Sequence, residues 1–209
     1  MIRTCIERGS NILRTTVEGA ANTCRINRVT FITQIQSMSA PLPEYWLRGP
    51  VEGIPALLQP VAHALLQARI EITDVLASFP EELIWEQPAG VASVAFHIQH
   101  LAGVIDRLFT YAKGKQLNEE QLNYLAREGE KDSAVHLSSL IEHFNETIDK
   151  AIIQLKNTDP STLTDTRGVG RKQIPSNVIG LLFHSAEHTM RHSGQLLVTA
   201  RIVRILNVE

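Results

Sequence analysis

The sequence predicts an all-α protein built as a four-helix bundle. From Pro50 onward four segments repeat apolar residues at spacings of three and four, and no segment sustains the alternation of a strand. Each of the four also has a single apolar stripe and a polar back, the pattern of a helix that buries one face against neighbours.

The first helix is expected over about 52–78, where Ile54, Leu58, Val61, Leu65, Ile72 and Val75 share a stripe, and it stops near Pro80. The second runs over about 91–113 on Val94, Ile98, Leu101, Ile105 and Leu108, ending at Lys113 and Gly114 as helix C-termini do. The third, about 133–156, carries the cleanest seam: Leu137, Leu140, Phe144, Ile148, Ala151 and Leu155. The fourth follows Pro175 to about 203, with Ser176 as N-cap. Of the connections, 79–90 holds Trp85 and Pro88, 115–130 has room for a short helix over Glu119 to Ala126, and 157–175 reads as a long polar loop. Connections of that length permit parallel neighbours, so an up-down-up-down order is not required.

Residues 1–40 differ from the rest, with Arg3, Arg8, Arg14, Arg25 and Arg28 against only Glu7 and Glu18, and many Ser and Thr. The segment superficially resembles an organelle transit peptide, yet reads better as an extension upstream of Met38 that packs loosely; residues 41–209 form the bundle domain. With 44% hydrophobic and 20% charged residues the 209-residue chain can bury a core. A net charge of −2 and the lack of aromatic residues among the basic ones argue against nucleic acid as a partner. Cys5 and Cys24 have neither metal-site nor redox spacing and are expected to be reduced. No run of about 18 apolar residues occurs, so no membrane span is expected, and the protein is expected in the cytoplasm.

Three of the eight histidines fall on one stripe, in HSAEHTMRHSGQ: His184, His188 and His192. Residues four apart on a helix rise about 6 Å, so two such imidazoles can converge on one ion at about 2.0–2.1 Å per bond. All three cannot, because His184 and His192 are separated by about 12 Å of rise. The pair is therefore 184/188 or 188/192, and His188 belongs to both. A third ligand must come from another helix, and the second helix offers His97 and His100 in FHIQHL. Helical rotation puts His97 inside the apolar arc and His100 at its edge, so periodicity alone favours His97. His63, His136 and His143 stand singly and read as satisfied boundary residues. A proton-sensitive histidine cluster would explain the stripe but not the second pair.

Together, SVAFHIQHLAG on the second helix and HSAEHTMRHSGQL on the fourth resemble the DinB family of metal-dependent proteins, over about residues 42–203. The resemblance implies a bundle of up-down-down-up order with a long crossing connection, and a homodimer. It implies a metal site of His100, which precedes Leu101 and Ala102, with His188 and His192, leaving His184 as a lining residue. This overrides the periodicity in favour of His97. Arg191 precedes His192 where many members have the basic residue following, a departure from the family pattern.

Three neutral imidazoles leave a coordination position open, as catalytic sites do. Zinc and nickel suit these donors best, and iron or manganese are compatible. The resemblance suggests a low-molecular-weight thiol as a second cofactor, transferred to a small electrophilic substrate, with hydrolysis by activated water as the other enzymatic reading. Outside catalysis, the same cluster would serve a metal-binding, sensor or dimerisation bundle. Gln195, one turn past His192, is placed to hydrogen-bond a bound cofactor or orient an imidazole. Glu187 and Arg191 form a surface i,i+4 pair, and Gly194 is read as permitting close approach of a neighbouring helix. Tyr45, Trp46 and Trp85 are candidates for lining a substrate mouth or capping the bundle.

Overall fold

The structure, a computed structural model, describes residues 42–207. The expected extension over 1–40 and both cysteines lie outside the described residues. Within them are helices α1 (Gln59–Leu76), α2 (Val94–Ala112), α3 (Glu119–Arg127), α4 (Leu137–Lys156) and α5 (Val178–Leu206), and a hairpin of β1 (Thr166–Val169) and β2 (Ile174–Asn177).

Helix boundaries follow local chemistry that periodicity does not register. The start of α1 is held back to Gln59 because Pro55 and a 3-10 turn at Ala56–Leu58 precede it, and the Gln59 carboxamide bonds the Val51 and Ile54 backbone. Ser93 caps α2 by accepting from the Phe96 amide. A reciprocal capping box of Asn118 and Gln121 starts α3. At α4 the N-terminal cap comes from elsewhere: the Glu81 carboxylate accepts from the Leu137 amide at 3.0 Å and pairs with the His136 ring. The cap of α5 is Asn177, which accepts from the Gly180 amide at 2.7 Å. Ser176, the expected cap, is instead paired with Arg167 in the hairpin.

The hairpin is a correction to the polar loop expected over 157–175. Its strands are four residues each, and Gly168 and Pro175 interrupt any alternation, so no period-two signal exists. It is anchored to the bundle by Arg167, whose Nε donates to the Ala112 carbonyl at the end of α2.

Side-chain bonds between helices fix the topology of the four long helices. Gln154 near the end of α4 bonds the Phe109 carbonyl near the end of α2, so these two run the same way. Ser193 of α5 meets Glu71 of α1 and Arg204 meets the Val75 carbonyl, so these two are also parallel. The contacts His97 to His192 and His100 to His188 run α2 antiparallel to α5. The order is therefore up-down-down-up. Helix α5 packs against α1 and α2, and α4 packs against the same two.

The core contains Leu65, Ile72, Ile98, Leu101, Phe144, Ile148, Leu155 and Leu182, all without measurable exposure. The segment Pro88–Ala112 is long and apolar enough to pass for a membrane span. More than half of it is buried inside the bundle, which identifies α2 as the core helix. The inward face of α5 is different: Ser185, Thr189 and Ser193 repeat every fourth position and are fully buried. Small residues on that stripe let α5 lie close to its neighbours. His188 and His192 each sit one residue, about 100° of rotation, away from that stripe.

Candidate metal centre

Helices α2 and α5 present four imidazoles to one another. His100 Nε2 lies 3.0 Å from His188 Nε2, and His97 Nδ1 lies 3.1 Å from His192 Nδ1. The His100 ring centroid is 5.2 Å from that of His188 and 4.6 Å from that of His192. One ring nitrogen from each of His100, His188 and His192 falls within 4.8 Å of the others. His97 reaches His192 only. It is nearly fully buried, as its place in the apolar arc demands, while His100 is half-buried at the edge of that arc. The edge is where α2 faces the histidine stripe of α5, which is why periodicity favours the wrong histidine for convergence.

His184, at the outer end of the stripe, is exposed and pairs with Glu187 at 2.6 Å, and Glu187 also holds Arg191 at 2.6 Å. Gln195 is exposed and lines an open groove of about 600 Å³ with Phe96, His97, His192 and Val198. Gly194 is exposed with open space where a Cβ would stand, so it serves no close helix approach. A smaller cavity of about 250 Å³ lies on the other side of the cluster, between His100, His184 and His188 and the side chains of Val104, Leu108, Leu117 and Leu125. Tyr45, Trp46 and Trp85 line neither opening. His63, His136 and His143 are remote from the cluster and have local partners: the Gly49 carbonyl, Glu81 and the Tyr124 ring.

Burial, reinforced by the charge of His192 and then His100, lowers the His97 pKa from 6.5 to about 4. Burial and the same neighbours, with His184 and Arg191, lower His188 to about 4 as well. His192 is lowered by burial, then by His100 and Arg191. His188 and His192 are thus favoured as neutral rings, the form in which an imidazole binds a metal. These shifts set a pH dependence for the metal-free protein. The unfolded chain takes up protons near 6.5 and the folded one only near 4, so stability is complete above 6.5 and falls as pH drops toward 4. Denaturant titrations of metal-free protein across that interval are expected to show the decline; a flat or rising profile would contradict neutral rings.

The facing nitrogens fit a cation: lone pairs 3.0 Å apart, as at His100 Nε2 and His188 Nε2, repel unless a proton or a metal ion lies between them. The other nitrogen of His188, Nδ1, is buried without a hydrogen-bond partner.

One further residue touches the cluster. Glu128, immediately after α3, accepts from His100 Nδ1 through Oε2 at 2.8 Å, and its other oxygen, Oε1, pairs with Arg107. The carboxylate is almost fully buried. Sequence reasoning missed it because it lies outside any helix and outside any histidine motif. The available signal was on α2, where His100, Gly103 and Arg107 occupy one stripe and the glycine leaves a gap between a proton donor and a cation. A Cβ on Gly103 would collide with the Glu128 carboxylate. The segment carrying Glu128 is tied down at Gln99, which receives a bond from the Tyr124 hydroxyl on its carbonyl and one from the Gly129 amide on its side chain. Burial and the nearby Glu128 charge push the Tyr124 hydroxyl pKa well up, so it stays a neutral donor.

A sequence model described as the DinB superfamily matches residues 64–196, a span that includes His97, His100, Glu128, His188 and His192. No curated protein matches the chain.

Proposed function

Because this chain belongs to the DinB superfamily, we propose that His100, His188 and His192 hold a divalent cation and that the protein is a metal-dependent enzyme acting on a small electrophile. The observation that carries this reading is the meeting of ring nitrogens from two separate helices within 4.8 Å. The donors suit zinc or nickel and are compatible with iron or manganese. When bound by three neutral imidazoles, such an ion offers an open position at which a thiol or water becomes a stronger nucleophile.

The chain's own residues supply the rest. Burial keeps His188 and His192 neutral at working pH, and the close approach of α5 to α2 orients their rings before any ion arrives. The two openings give a small molecule access from either side, and Val104, Leu108, Leu117 and Leu125 give the smaller one an apolar wall. Gln195, at the rim of the larger groove one turn from His192, is the residue we assign to the polar groups of a thiol cofactor.

Metal-loaded protein assayed with a panel of small thiols and electrophiles is expected to show turnover that His192→Ala lacks at equal folding. Stoichiometric metal with turnover no greater than the variant's would overturn the enzymatic reading and leave a metal-binding bundle.

A further inference from the structure

We infer that Glu128 is the positioning residue for the metal ligand on α2, and that Arg107 sets its orientation; the inference rests on the metal reading of the histidine cluster. Glu128 spends one oxygen on each partner, Oε1 on Arg107 and Oε2 on His100 Nδ1. A carboxylate has no proton to give in this arrangement, so the shared hydrogen sits on His100 Nδ1. The lone pair of the neutral ring is then on Nε2, the nitrogen that faces His188. Glu128 thereby selects the tautomer that a cation between α2 and α5 requires, and its charge makes that nitrogen a better donor.

The surroundings are built for this contact. Gly103 vacates the space the carboxylate occupies between His100 and Arg107. Phe96 stacks on the His100 ring at 5.2 Å with an 11° tilt, fixing its plane. The Gly129 amide bonds Gln99, so the backbone next to Glu128 is attached to the same helix that carries the ligand. The Glu128 side chain is more than nine-tenths buried, and a buried carboxylate with a donor on each oxygen is held in one place.

Glu128→Gln gives a sharp test, because an amide has one acceptor oxygen where the carboxylate has two. Arg107 offers only donors and claims that oxygen, which turns the amide nitrogen toward His100. The ring must then accept at Nδ1 and carry its hydrogen on Nε2, the wrong tautomer for a cation. Nitrogen-15 NMR of histidine-labelled, metal-free protein is expected to show His100 as the Nδ1–H form in wild type and the Nε2–H form in Glu128→Gln. Chelator competition is expected to show zinc bound about 10–100-fold more weakly by the variant. Adding Arg107→Met frees the amide oxygen and is expected to restore the Nδ1–H form, a rescue that a merely structural role for Glu128 would not give. Should Glu128→Gln fail to fold, Gly103→Ala, which displaces the carboxylate, is expected to give the same loss of zinc affinity. An unchanged tautomer, or zinc affinity equal to wild type in the folded variant, overturns the inference. Wild-type protein that takes up no zinc would instead overturn the metal reading, while the tautomer measurement still reports on Glu128.

Discussion

His188→Ala is expected to abolish stoichiometric metal binding while leaving the bundle folded. His188 lies close to both other candidate ligands, 3.0 Å from His100 between nitrogens and 4.6 Å from His192 between centroids. Without it the remaining two rings sit on different helices, and two protein ligands hold an ion weakly. The loss of affinity should exceed the ~10–100-fold that follows from removing an outer hydrogen-bond partner of a ligand. The fold should tolerate the change, because the ring is only half-buried and its Nδ1 already lacks a hydrogen-bond partner. Elemental analysis and chelator competition measure the first effect, and thermal unfolding of metal-free protein measures the second. His184→Ala is the matched control. Its ring is exposed and committed to Glu187, so metal content should stay at the wild-type level. Metal lost from the His184 variant and kept by the His188 variant would reverse the assignment of ligands.

The second large effect is on stability. Phe144→Ala is expected to destabilise the protein by about 3–5 kcal/mol, the range for deleting a fully buried aromatic ring and leaving a cavity. Phe144 lies midway along α4 with no exposed surface, where α4 packs against both α1 and α2. Ile153 on the same helix is 58% exposed, and Ile153→Ala should shift stability by no more than about 0.5 kcal/mol. Urea titrations of the two variants compare the buried and solvent faces of one helix directly. Similar losses would mean that α4 does not present the face described. Because α2 carries His100 and is braced by α4, the Phe144 variant should also bind metal less uniformly than wild type.

The four long helices were legible because each repeats its apolar residues with the period of the helix, and nothing in 42–207 competes with that signal. Their ends were less so. Asn177 caps α5 in place of Ser176 because a hairpin, invisible to periodicity, absorbs the serine. The start of α4 depends on Glu81, more than fifty residues earlier in the chain, and no local pattern announces a cap of that kind. At the site, the four-residue spacing on α5 pointed to His188 with either His184 or His192, and the family resemblance chose His192 and added His100. Periodicity pointed to His97, which is the more buried residue but reaches only His192. Apolar rotation reports depth in the core, whereas a site between two helices forms at the boundary of that core. Glu128 was not legible as a partner of His100, since the contact spans 28 positions and depends on a gap left by Gly103.

The central claim is that imidazoles from α2 and α5 share one cation. Anomalous diffraction at the metal edge, from crystals of zinc- or nickel-loaded protein, measures this directly. The expected result is one peak per chain, about 2.0–2.1 Å from a ring nitrogen of each of His100, His188 and His192. A peak held by His184 and Glu187, or by rings of α5 alone, would contradict it.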